Sequence, residues 1–213
     1  MILYHFSTSP FARRVRLALA HKGLTAELRD PRTQPEHLPE LLALSPMHTV
    51  PVLVDAERTI VDSTAIAHYL DRKQPEPRLF PAGRGGALAF ELAALADSSI
   101  GVLTDVGARY YALHEHESFE KVRALMIGRA QRALQRMASM VLARGNGVPL
   151  CGEHWGWADI VAFTTVVWLE QLPVRAATQA VPRQIMSTGW SLPAELSEWA
   201  DQHRTRADVV ALG

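Results

Sequence analysis

The chain is nearly devoid of cysteine. Cys151 is the only one in 213 residues, so no internal disulfide can form and no thiol pair can carry redox chemistry. It also lacks any excess of charge: Lys plus Arg and Asp plus Glu number 22 each. That balance removes the electrostatic footprint expected of a protein whose main partner is nucleic acid or an acidic membrane. Lysine is scarce as well, since 19 of the 22 basic residues are arginine. No run approaches about 18 consecutive apolar residues, which predicts no membrane span. The N-terminus has no basic stretch followed by an apolar core and a cleavage site, which predicts no secretory signal. Together these absences point to a reducing cytoplasm. Internal repeats and low-complexity tracts are missing too. What is present is 48% hydrophobic and 21% charged residues, the composition of a globular protein with a substantial core. Cys151, beside Gly152, reads as a small buried hydrophobe.

The first 80 residues alternate strand and helix signals. Ile2 to Phe6 is strand-like. Ser9 suits a helix N-cap, Pro10 the first helical position and Gly23 the residue after the last turn, which predicts a helix from Pro10 to Lys22. Ala26 to Arg29 is a short strand candidate, and Glu36 to Leu44 is helical with Leu38, Leu41 and Leu42 on one face. Val52–Val54 and Thr59–Val61 flank Asp55 to Arg58 as a hairpin, and Thr64 to Asp71 is helical. The order βαβαββα makes a small mixed sheet covered by helices over residues 1–80. Prolines 75, 77 and 81 and glycines 83, 85 and 86 punctuate the chain, and residues 81–87 read as a linker. Residues 88–213 read as all-helical, with long helices from Leu88 to about His114 and from Glu117 to about Arg144. Further helices are expected over Ala158–Leu169 and Pro193–His203.

Three short segments carry candidate chemistry. Ser9 presents a hydroxyl at the positive end of a helix, where an anion such as a thiolate is favoured; an ordinary capping serine has the same signature. Val50-Pro51 opens the hairpin. A cis proline there would let Val50 offer its N–H and C=O to an extended peptide, whereas a trans edge proline would not. In Asp62-Ser63-Thr64, Ser63 is a candidate N-cap whose N–H and hydroxyl suit a carboxylate, and Asp62 suits an amino group. A plain cap reads identically. His114 and His116 are two apart and so fall on different helix faces; no metal site is expected. The five tryptophans read first as core. Asp159, three residues after Gly156, reads as the acid of a capping box, with Gly156 at the cap.

The order and spacing of these segments resemble soluble glutathione transferases. "LYHFSTSPFARRVRLALAHKG" resembles that family's first strand, catalytic loop and first helix. "SPMHTVPVLVD" resembles its Asn-Pro-x-x-x-Val-Pro segment and is most similar to the zeta class, "IVDSTAIAHYLD" resembles its Glu-Ser-x-x-Ile helix start, and "HWGWADIVAFTTVVWLE" resembles the Ala-Asp-Ile segment of its helical domain. The resemblance implies a thioredoxin-like N-terminal domain followed by an all-helical C-terminal domain, an α/β plus all-α architecture, and serine-type chemistry of the zeta and tau kind. Glutathione is implied as co-substrate. Ser9 would donate a hydrogen bond to its sulfur, with Ser7 and Thr8 as neighbouring alternatives and Phe11 in the same loop. Val50, with cis Pro51, would pair with the cysteinyl unit. Asp62 and Ser63 would hold the γ-glutamyl end, and His37 and Thr49 lie where the glycyl end is held. Ser45 stands in place of the family's Asn, and Thr49 where Lys or Gln is common.

A small hydrophobic electrophile would bind between the domains, against the first long helix. Arg109, Tyr110, Tyr111 and His114 are its candidates there. The resemblance further implies a homodimer. Two other functions fit the same motifs: a glutathione-dependent isomerase of the maleylacetoacetate isomerase type, suggested by Pro46-Met47, and a non-catalytic stress factor that keeps the fold to bind proteins.

Overall fold

The computed structural model describes residues 1–145, 147–187 and 189–211, except the side chain of Tyr111. The N-terminal part runs β1 (Ile2–Tyr4), α1 (Pro10–His21), β2 (Glu27–Arg29), α2 (Leu38–Leu44), β3 (Val52–Asp55), β4 (Arg58–Val61) and α3 (Ser63–Lys73), with one 3₁₀ turn at Pro35–His37 before α2. The strands form one sheet in the order β2-β1-β3-β4. β1 and β2 are parallel, and the other pairs are antiparallel. This is the thioredoxin-like arrangement of the βαβαββα expectation. Leu3 and Leu53 face the main core, while Tyr4 and Val52 face a smaller cluster closed by Leu41. Of the three leucines placed on one face of α2, only Leu41 is buried; Leu38 and Leu42 point outward.

Local chemistry explains the two helices that matter for function. The Ser9 side chain caps α1, accepting from the Ala12 N–H, and Pro10 fills the first position. At the other end Leu24 N–H bonds Leu19 C=O and Gly23 N–H bonds Ala20 C=O. That is the Schellman pattern, and it requires the positive φ of +64° that Gly23 supplies. At α3 the cap lies one residue earlier than the sequence suggests. Asp62, not Ser63, is the N-cap, and its Oδ1 accepts from the N–H groups of Thr64 and Ala65.

The helical part contains α4 (Arg84–Leu113), α5 (Phe119–Arg144), α6 (Trp157–Glu170), α7 (Leu172–Ala176), α8 (Ala180–Met186), α9 (Ala194–Asp201) and α10 (Ala207–Val210). α4 begins at Arg84, inside the stretch read as a linker. Gly85 and Gly86 permit this, because a Cβ on either would fall 2.1 Å from the Cys151 carbonyl or 2.6 Å from the Pro81 carbonyl. By length and composition α4 is apolar enough to cross a membrane. Here it packs along α5, α6 and α8 instead. α7 and α8 had no periodic signal, being only five and seven residues long.

α6 is the central helix, buried from Trp157 to Leu169. Its Asp159 accepts from the backbone N–H groups of Gly156 and Leu150, both at 2.9 Å. Burial pushes this carboxyl up to about 6, against the pull of those two bonds. Gly156 supplies only half a capping box, since it has no side chain to return the bond. The reason is steric: a Cβ there would lie 2.7 Å from the Leu79 carbonyl, which already accepts from Trp157 N–H at 2.8 Å. Gly156→Ser should therefore lower the melting temperature, although serine is the better capping type. The overpacking cost of about 1–3 kcal/mol exceeds a cap whose hydroxyl has no room to form. A melting temperature equal to or above wild type would overturn that reading.

Candidate active site

Ser9, at the start of α1, sits where the first loop meets the helical part and is half-buried. Its Oγ accepts from Ala12 N–H at 3.3 Å. A hydroxyl that accepts from its own helix keeps its proton free to donate elsewhere, and the helix end adds positive potential at that spot. Thr8 has a similar freedom: its Oγ1 accepts from Arg32 at 3.0 Å. Ser7 does not share the site. Its N–H bonds Asp30, and it does not line the cleft onto which Thr8 and Ser9 open.

The second wall is the loop before β3. Buried Ser45 donates to the Thr49 carbonyl at 3.0 Å and accepts from Thr49 N–H at 3.1 Å, so it braces the loop from the position where the family pattern has Asn. The loop ends in a cis peptide bond between Val50 and Pro51. Neither the N–H nor the C=O of Val50 is bonded within the described residues. The β3–β4 register pairs Val52 with Val61. Asp62 and Ser63 follow directly on Val61, at the end of the hairpin where Pro51 and Val50 precede Val52. Ser63 is 1% exposed, and its Oγ has no hydrogen-bond partner. A buried hydroxyl left so is costly and marks a place for a ligand group. Asp62 spends only Oδ1 on its cap.

Between the two domains lies a cavity of about 730 Å³. Phe6, Thr8, Ser9, Phe11, Thr49 and Val50 line it from the thioredoxin-like side, as do Arg32 and His48. The opposite wall comes from Thr104 and Ala108 of α4, Trp168 of α6, Arg175 of α7, and Val181 and Ile185 of α8. Gly107 lets α8 come close enough to close this wall, because a Cβ would meet a Val181 methyl at 2.8 Å.

Several expected residues are elsewhere. His37 lies outside the cleft and bonds Glu40 at 3.2 Å, in a surface cluster with Arg29 and Tyr4. The basic side chains that do reach the cleft are Arg32, His48 and Arg175. Tyr110 and His114 also miss it. They stack on each other with centroids 4.8 Å apart, and Tyr110 meets Phe119 edge-on. The cause is helical phase, since Thr104 and Ala108 define the inward stripe and positions 110 and 114 are rotated off it. Arg109 faces outward and pairs with Asp105. The Tyr111 side chain lies outside the described residues. Trp168, expected in the core, both packs there and lines the cleft. The sequence signal for α7, α8 and Arg175 was absent, since no periodic pattern marked these short helices.

Burial pushes the Cys151 thiol up to about 12, with Asp159 nearby adding to the effect. Among the described residues no cluster of three or more His, Cys, Asp or Glu side chains comes together to hold a metal.

The family model for the glutathione S-transferase N-terminal domain matches residues 3–78. "Glutathione S-transferase 1" of Dianthus caryophyllus is 41% identical over 125 residues, 57% of either chain. The "Probable maleylacetoacetate isomerase" of Vibrio cholerae is 40% identical over 100 residues, covering 45% of this chain and 46% of that one. The match thus spans about half the length of these curated relatives. The structure of a glutathione S-transferase from Methylobacterium radiotolerans, in complex with glutathione sulfonate, superposes over 98% of this chain and 92% of its own with a TM-score of 0.73 at 23% identity. That likeness extends the fold through the helical domain.

Proposed function

We propose that the chain belongs to the glutathione S-transferase superfamily and is a glutathione transferase that activates the thiol of glutathione for attack on a small hydrophobic electrophile. One observation carries the reading: an unspent Ser9 proton, the free Val50 backbone and the orphaned Ser63 hydroxyl line one continuous edge of the thioredoxin-like domain. That edge fits a γ-glutamyl-cysteinyl peptide. Ser63 and the free oxygen of Asp62 receive its carboxylate and ammonium. Val50 pairs with its backbone as an added strand would, and Ser9 donates to its sulfur, favouring thiolate over thiol. Thr49 and His48 stand nearest the glycyl end.

Glutathione supplies the nucleophile: its thiol proton passes to solvent, its sulfur pair forms the new C–S bond, and the leaving group departs with the electrons of the broken bond. The chain positions the two reactants and excludes water, with Phe6, Phe11, Trp168, Val181 and Ile185 as the apolar lining. The reading also takes in a homodimer and a compartment rich in reduced glutathione. Calorimetric titration with glutathione, followed by conjugation to 1-chloro-2,4-dinitrobenzene, tests it; no saturable heat at millimolar glutathione would remove it. Ser63→Ala should raise the dissociation constant of glutathione about tenfold, through loss of a hydrogen bond to a charged group. An unchanged constant would move the γ-glutamyl end elsewhere.

A glutathione-dependent isomerase is the second reading, favoured by the name of the Vibrio cholerae relative. It uses the same edge and differs in stoichiometry: an isomerase returns its glutathione, a transferase consumes it. A protein that binds glutathione but turns over no electrophile at all fits the non-catalytic stress factor.

A further inference from the structure

The helical wall of the cleft carries a cation with no ion-pair partner among the described residues. Arg175 follows the apolar α6, and its guanidinium lies over the Trp168 ring at 5.8 Å. Its Nε donates to Gln179 at 3.2 Å. Its Nη1 is buried and has no hydrogen-bond partner. Arg32 reaches the same cavity from the thioredoxin-like domain. Its guanidinium sits over the Phe6 ring at 4.0 Å and gives one bond to Thr8. Among the described residues neither arginine forms an ion pair, whereas Arg14, Arg29, Arg123, Arg136, Arg204 and Arg206 all do. Burial, and then the charge of Arg32 opposite, lower the proton affinity of Arg175. Two like charges held across one cavity repel each other until an anion comes between them. An apolar electrophile would leave that repulsion and the orphaned Nη1 in place.

We propose that the electrophile carries a carboxylate or similar anionic group, held between Arg175 and Arg32 while its apolar body lies on Trp168, Val181 and Ile185. The proposal rests on the glutathione-transferase reading of the cleft and narrows the substrate from hydrophobic to hydrophobic and acidic. The assignment of this anion to the second substrate follows from position. Glutathione is matched along the Val50–Ser63 edge of the thioredoxin-like domain, whereas Arg175 projects from the facing domain. Arginine suits the role because its planar fork can meet both oxygens of a carboxylate, as Lys cannot.

The test compares 4-chloro-3,5-dinitrobenzoate with 4-chloro-3,5-dinitrobenzamide, which share a reactive carbon and differ in charge. Wild type should bind the acid more tightly than the amide by calorimetry without glutathione, and should have the higher kcat/KM for it. Arg175→Met should lower kcat/KM for the acid about tenfold, with the amide changed less than about twofold and the KM for glutathione, measured with the amide, unchanged. Arg32→Met, on the other domain, should act in the same direction. Arg175→Lys should restore part of the loss. Equal losses for acid and amide would make Arg175 a packing residue and overturn the proposal. A rise in the KM for glutathione with the amide would give the pair to the glycyl carboxylate and overturn it as well. Should neither compound be conjugated, the transferase reading fails on its own; the calorimetric preference for the acid, and its loss in Arg175→Met, then decides this proposal.

Discussion

Ser9→Ala is expected to lower kcat/KM for conjugation by about 100-fold, the scale of losing one preorganised donor to a developing or resident anion. Glutathione affinity should change little, because Val50, Asp62 and Ser63 hold the peptide independently. The reason lies in how α1 uses the serine. Its Oγ accepts from Ala12 N–H, so the hydroxyl proton is directed away from the helix, and loss of the hydroxyl removes the donor without moving the loop. The thiol of bound glutathione should then titrate at higher pH, because the thiolate has lost its stabilising bond while the thiol has lost little. The acid limb of the kcat/KM profile should shift upward with it, and ultraviolet absorption of the thiolate follows the same change directly. Removing the cap also costs stability, about 0.5–2 kcal/mol for alanine but only a few tenths for glycine. Ser9→Gly therefore separates chemistry from folding: it should lose rate like alanine while melting near wild type. Full activity in both variants, with a loss in Thr8→Val, would transfer the role to Thr8. Full activity in all three would leave the backbone N–H groups of α1 as the only stabilising donors and remove the hydroxyl from the chemistry.

The parts legible in the sequence were those set by short-range rules. Ser9-Pro10 and Gly23 bracket α1 because capping and the Schellman turn are decided within a few residues. The hairpin followed from two apolar triplets around polar residues, and a small mixed sheet from the βαβαββα succession; its strand order, β2-β1-β3-β4, came only with the structure. The cis bond at Val50–Pro51 was expected from the Val-Pro match and is present; the one at Glu76–Pro77 was not anticipated. Longer-range facts were hidden. Which residues of α4 face the cleft depends on helical phase fixed by packing against α5, α6 and α8, so Tyr110 and His114 were chosen for their chemistry and proved to be off the stripe. Arg175 and the short α7 and α8 had no periodicity to announce them. Their placement depends on Gly107, whose missing Cβ admits Val181. The unusual glycine cap of α6 looked like a weakened motif and is explained only by the Leu79 carbonyl against it.

The second large effect is expected away from the cleft, at the seam between the domains. Arg14, on the inner face of α1, is fully buried. Its Nη1 bonds Asp97 of α4 at 2.5 Å, and its Nη2 lies 3.5 Å from Thr165 of α6. Three helices from two domains thus converge on one guanidinium, whose Nε has no partner. Burial works against the charge, and Asp97 is the chief group opposing that cost. Asp97→Ala strands the cation, and a buried charge without its counterion costs about 3–5 kcal/mol. The Asp97 side chain is 40% exposed, so water recovers part of this, and a loss of about 2–4 kcal/mol in denaturant unfolding is expected. Asp97→Asn keeps an acceptor and should cost less. The sharper comparison is the double variant Arg14→Met with Asp97→Ala. It removes the cation together with its partner, so it should recover most of the stability, as apolar replacement of a whole buried pair often does. A double variant less stable than Asp97→Ala alone would show that Arg14 holds the seam by its packing against Phe11 and α6, and that its charge is incidental.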